Sequence, residues 1–133
     1  MAGYTKKNLW EVEDQAPKFD MPPGLEARFA RTAIGGETLG LSLMKLAPNF
    51  RVPFGHKHAS QEEVYVVVRG SARVRVESGD KEEIVDVGAW EAIRFDKDTM
   101  RNVEAGPNGV EYLAFGAGDD PTEAEVAPNW WTD

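Results

Sequence analysis

The sequence predicts an all-β domain, read as a sandwich or a closed barrel, on the strength of period-two patterning and turn spacing. Leu39, Leu41 and Leu43 alternate with Gly40 and Ser42. Val64, Val66 and Val68 alternate with Tyr65, Val67 and Arg69, and Val74 and Val76 alternate with Arg73, Arg75 and Glu77. Side chains two residues apart share a face only on an extended chain, so each run reads as a strand with two distinct faces. Their valine and aromatic content agrees. Turn chemistry separates the runs at roughly 8–12-residue intervals, the spacing of sandwiches and barrels. No stretch shows helical periodicity with caps at its ends.

Three zones follow in order. Residues 1–24 form a polar arm that ends in Met21-Pro22-Pro23-Gly24, where prolines stop regular structure. A short helix is expected at most within Lys7 to Asp14. Residues 25–117 hold the strands. Arg69-Gly70-Ser71, Ser78-Gly79-Asp80-Lys81 and Gly106-Pro107-Asn108-Gly109 are read as turns between them, the second as a tight hairpin. Residues 118–133 form an acidic tail with Trp130-Trp131 near its end. Large aromatics on such a tail cover something, either the barrel or a partner subunit.

Composition narrows the function. The 133 residues suit one domain, and a chain of this size buries roughly two thirds of its unfolded surface without staples. There is no cysteine. Disulfides, zinc–thiolate sites, iron–sulfur clusters and cysteine nucleophiles are thereby excluded, and a reducing, cytoplasmic home is expected. The formal charge is −8, from 15 Lys and Arg against 23 Asp and Glu. No basic stripe interrupts it, which argues against nucleic-acid binding. The longest apolar run, Val64 to Val68, is far too short to span a bilayer, and the first ten residues lack a signal-type apolar core. Gly35-Gly36 and Gly116-Ala117-Gly118 lack the pattern of a phosphate loop.

One constellation carries chemistry. The two histidines, His56 and His58, sit two residues apart, on one face of an extended chain. Glu63 follows at the start of a valine-rich strand and shares parity with Tyr65 and Val67. If that parity points inward, two imidazoles and a carboxylate converge in an apolar pocket. That donor set holds divalent transition metals while leaving positions open. Glu62 is the rival, since neighbours on a strand face opposite ways. Both histidines are then committed, which leaves no Ser-His-Asp triad.

His56-Lys57-His58, four residues, Glu63, six residues and Gly70 resemble the first motif of the cupin superfamily. The preceding Ala47-Pro48-Asn49-Phe50-Arg51-Val52-Pro53-Phe54 is similar to the segment cupins place there, except that Asn49 stands near a usual glycine. Gly88 has the spacing of the second motif, but Asp96-Lys97-Asp98-Thr99-Met100-Arg101-Asn102 departs from it. Aligned on Thr99, Arg101 stands where cupins carry a fourth ligand, a histidine. The resemblance runs from Leu39 to Phe115, and is closest to small single-domain cupins. It implies a jelly-roll β-barrel and a site of His56, His58 and Glu63 for one ion of iron, manganese, nickel, copper or zinc. It also implies a homodimer.

Arg101 cannot ligate a metal, so it reads either as a clamp for an anionic substrate or as the partner of a local acid, Glu104 or Glu91. Met100 takes its place if the alignment slips by one. Gln61 reads as a solvated turn residue; Tyr65, Trp90, Phe54 and Phe95 read as core. Arg73 and Arg75 read as an exposed or interfacial face. Three functions stay open. They are a metal-dependent oxygenase, isomerase or lyase acting on a small polar molecule, a non-catalytic small-molecule-binding module, and a structural protein with a relic pocket.

Overall fold

A computed structural model describes residues 3–117 and 124–133. Met1 and Ala2 of the arm, and 118–123 of the tail, lie outside the described residues. Eight strands follow one another: β1 (Leu25–Phe29), β2 (Gly40–Leu46), β3 (Gly55–His58), β4 (Glu63–Ser78), β5 (Lys81–Gly88), β6 (Ala92–Phe95), β7 (Met100–Gly116) and β8 (Ala124–Ala127). The arm contributes two single 3₁₀ turns, Leu9–Glu11 and Ala16–Phe19. The first is capped by Asn8, whose side chain accepts from the Trp10 amide at 2.9 Å. That short turn is all that stands where a helix was expected within Lys7 to Asp14.

All described strand pairings are antiparallel, and two long strands organise them. The first half of β4 lies between β6 and the end of β7, and β2 and then β1 extend that side. The second half of β4 lies between β5 and the start of β7, and β3 and then β8 extend the other side. Both long strands therefore bend at mid-length and pass from one side of the barrel to the other. This is a cupin-type jelly roll.

The bends correct two sequence readings. Arg69-Gly70-Ser71 and Gly106-Pro107-Asn108-Gly109 do not end strands; they are irregularities within β4 and β7, where the register shifts between Val67 and Arg69 and again between Gly70 and Ala72. Turn-forming residues at a bulge look like a turn in sequence, because both demand the same backbone freedom. Gly70 has φ +79, and a Cβ there would fall 2.1 Å from the Gly109 carbonyl oxygen. Buried parity changes across the bend, from Tyr65 and Val67 to Ala72 and Val74. Gly79-Asp80 does make the two-residue hairpin turn, with Ser78 opposite Lys81.

The core comprises Leu46, Val52, Tyr65, Val67, Val74, Val87, Phe95, Val103, Val110 and Tyr112. Trp90 is not part of it. It sits in the turn between β5 and β6 with φ +68 and is 78% exposed.

The last residues fasten the short strand β3. β3 has one register partner on β7, His56 opposite Arg101, but four on β8. Beyond β8, Trp130 is buried over Gly55, where a Cβ would meet its ring at 2.5 Å. Arg75 stacks on that ring, 3.9 Å from its centroid, donates to the Trp130 carbonyl, and pairs with Glu82 at 2.6 Å. Of the exposed or interfacial face expected there, Arg75 is buried beneath the tail of its own chain; the ring and carboxylate satisfy its charge. Arg73 remains on the surface and bonds Asp133 at 2.8 Å, as does Arg51 at 3.0 Å. The Trp131 indole N–H donates to the Val52 carbonyl at 2.6 Å.

Removing the Trp130 ring leaves a cavity above Gly55 and strips Arg75 of its cover. Trp130→Ala is expected to lower stability by about 3 kcal/mol. Urea unfolding monitored by far-ultraviolet circular dichroism checks it; an unchanged midpoint would show that the tail contributes nothing to the fold.

Candidate metal centre

Strand alternation builds the site. On β3, His56 and His58 project to the same side, their ring centroids 5.5 Å apart and the planes nearly perpendicular at 85°. Lys57 faces the other way, toward Glu125 at 3.5 Å. Glu63 opens β4 with the inward parity of Tyr65 and Val67 and brings its Oε1 to 3.9 Å from His58 Nε2. One ligand atom from each of His56, His58 and Glu63 lies within 4.8 Å of the others. Glu62 points away and pairs with exposed Arg94 at 3.0 Å.

Arg101 enters from β7, directly across from His56. Its side chain is fully buried. Nη2 donates to Glu63 Oε1, Nη1 donates to the Thr99 carbonyl at 3.0 Å, and the guanidinium lies 4.8 Å from the Phe95 ring centroid. Its Nε is buried and makes no hydrogen bond. The acid that pairs with Arg101 is therefore Glu63 itself, not Glu104 or Glu91. Glu104 is taken by Arg51 and by Arg73, the latter at 3.0 Å, while Glu91 accepts from the Gly88 amide at 2.7 Å. Sequence distance misled here: Glu104 is three residues away, yet only the fold brings Glu63 across from β4. Met100, one residue earlier on the strand, is half-buried.

Three residues complete the surroundings. Tyr65, read as core, is buried, and its hydroxyl also stands 3.4 Å from His56 Nε2. Tyr112 packs on Tyr65 with ring centroids 4.9 Å apart. Asn102 donates to the Phe54 carbonyl at 2.8 Å, accepts from the Val103 amide at 3.0 Å, and stands 3.3 Å from His56 Nδ1. Sequence reasoning overlooked Asn102 and Tyr112. The signal for Asn102 was a polar residue in an apolar strand, beside the arginine already singled out.

The electrostatics follow from burial and from one fixed cation. His56 is lowered to about 3, first by burial, then by the Arg101 guanidinium and by His58. It is a neutral, metal-competent imidazole at any ordinary pH. Burial, reinforced by Glu63, raises Tyr65 well above the usual phenol range; burial raises Tyr112 too. Both hydroxyls stay protonated. Glu63 and Arg101 are then the two opposite charges of a cluster otherwise neutral at His56, Tyr65 and Tyr112.

Neither a family model nor a curated protein matches the sequence. Solved structures do match the fold. Oxalate decarboxylase from Bacillus subtilis superposes with a TM-score of 0.73 at 22% identity, covering 90% of this chain and 30% of that one. Its structure at pH 4.6 gives 0.75 at 21%, covering 94% and 32%. The oxalate decarboxylase of Lactobacillus farciminis, in complex with formate, gives 0.75 at 18%, covering 90% and 34%. The chain thus spans about a third of the length of these neighbours. The likeness places it, by fold, among cupin-type barrels. No helix among the described residues is long and apolar enough to cross a membrane.

The depressed His56 makes stability depend on pH. The unfolded ring takes up a proton near its ordinary value of 6.5, whereas the folded ring resists it down to about 3. Stability is therefore full above pH 6.5 and falls as pH drops through that window. Between pH 6.5 and 5 the loss is about 2 kcal/mol, at ~1.4 kcal/mol per pH unit. Denaturant unfolding of the protein in chelator, compared with His56→Gln, checks it: the variant's stability should stay flat across that interval. Parallel curves would place the loss elsewhere.

Proposed function

We propose that this protein holds one divalent transition metal on His56, His58 and Glu63, and uses the site to bind or transform a small anionic molecule that Arg101 orients. The convergence of two imidazoles and one carboxylate from β3 and β4 carries this reading. The donors suit iron, manganese, nickel, copper or zinc, being borderline nitrogen and anionic oxygen, and three protein ligands leave positions for substrate. A bound ion there supplies Lewis-acid polarisation, or redox chemistry if it is iron. The chain supplies the rest. His56 stays unprotonated, Tyr65 offers a hydroxyl beside it, and Arg101 presents a permanent positive charge within reach of whatever Glu63 touches. Surrounding apolar side chains keep that charge strong by excluding water. The fold neighbours named for oxalate, one of them holding formate, favour a small carboxylate as the anion. Oxygenase, isomerase or lyase chemistry all suit such a site.

A second reading is a non-catalytic binding barrel. The buried Arg101–Glu63 pair favours it, since the pocket then has an internal counter-charge and needs no metal to fold. Homodimerisation belongs to either reading.

Elemental analysis of purified, tag-free protein separates the two readings. A stoichiometric transition metal, lost in His56→Ala/His58→Ala and in Glu63→Gln but kept in Glu62→Gln, is the expected result. No metal after incubation with iron, manganese, nickel, copper and zinc salts, in the presence of formate as well as without it, would overturn the metal centre and leave the binding barrel.

A further inference from the structure

Arg101 and the cluster it adjoins share a single atom. The Glu63 oxygen nearest His58, Oε1, is the same oxygen that accepts from Arg101 Nη2. A cation bound by His58 and that oxygen stands next to a guanidinium. The guanidinium cannot lose its proton. Nor can it swing out to water, because Arg101 is fully buried against Phe95 and tied to the Thr99 carbonyl. The one carboxylate of the cluster would then face a divalent ion and an arginine together, in surroundings where charges are weakly screened. The groups beside it, His56, Tyr65 and Tyr112, carry no negative charge to share. What relieves this is an anion lying between the two cations. Arg101 has donor capacity to receive one, since its Nε makes no hydrogen bond and a guanidinium engages a carboxylate through two parallel donors.

We infer that Arg101 makes the metal and a small carboxylate a linked pair of ligands, each binding weakly alone and strengthening the other. The inference rests on the metal-site reading and adds to it a rule of operation: the site loads its ion fully only when the anion is present. Linkage requires the effect to be reciprocal, the ion raising affinity for the anion by the same factor.

The test titrates cobalt(II) into the full chain at constant ionic strength, with sodium formate or sodium perchlorate as the salt. Perchlorate coordinates poorly and serves as the reference. Wild-type protein is expected to bind cobalt about ten-fold more tightly in formate. Arg101→Gln and Arg101→Met should bind it about ten-fold more tightly than wild type in perchlorate and gain nothing from formate. A wild type indifferent to formate, or variants that bind no better in perchlorate, would overturn the linkage while leaving the metal centre standing. Absence of cobalt binding in both salts would overturn the metal centre and the linkage together. Should the variants fail to fold, wild type alone decides. Its thermal midpoint with cobalt and formate together must exceed the sum of the two separate shifts, and simple additivity would refute the linkage.

Discussion

A buried guanidinium is the constraint around which the rest of this structure is arranged. Arg101 cannot be neutralised, so a barrel that encloses it must supply an anion, hydrogen-bond acceptors and a polarisable surface in the interior. Glu63, the Thr99 carbonyl and the Phe95 ring meet those needs from three different elements. Each is thereby held in place by the same group. Glu63 is drawn inward beside His58. Removing one partner of such a pair leaves a lone buried charge, which typically costs 3–5 kcal/mol.

The same arrangement governs the chemistry of the histidines. The loss of solvent and then the guanidinium's charge act in one direction on His56 and keep it a free base. A ring that refuses protons retains a lone pair for a metal. Yet the charge that helps deprotonate the ring also opposes any second cation in the pocket. The site is therefore a compromise between ligand readiness and metal repulsion. Under the proposed linkage an anion resolves it, which ties the proposed substrate class to electrostatics already present in the protein.

Mechanical support for the cluster comes from far along the chain. β3 carries both histidines and is four residues long, with a single register partner on β7. β8 and the Trp130–Arg75 stack hold its outer edge. The two tryptophans stood out in the sequence as too large and apolar for an acidic tail. Their partners did not stand out, because Val52, Gly55 and Arg75 lie more than fifty residues earlier.

Local rules made much of the protein legible. Period-two patterning revealed β2 and both halves of β4, and Gly79-Asp80 marked the hairpin. Parity groups Glu63 with Tyr65 and Val67, and the six-residue gap to Gly70 favours it over Glu62. These features depend on neighbours a few residues apart, where backbone geometry alone decides which way a side chain faces. The bends at Gly70 and Gly106–Gly109 looked like turns, because sequence shows a need for backbone freedom without showing whether pairing continues beyond it. What only the tertiary structure decided was pairing across the barrel: Arg101 with Glu63, Asn102 beside His56, Arg75 beneath Trp130. Those contacts join residues that one-dimensional spacing leaves unrelated. They form because the interior of the curled sheet leaves little solvent for a buried charge or donor, which must take the partner that the opposite strand presents.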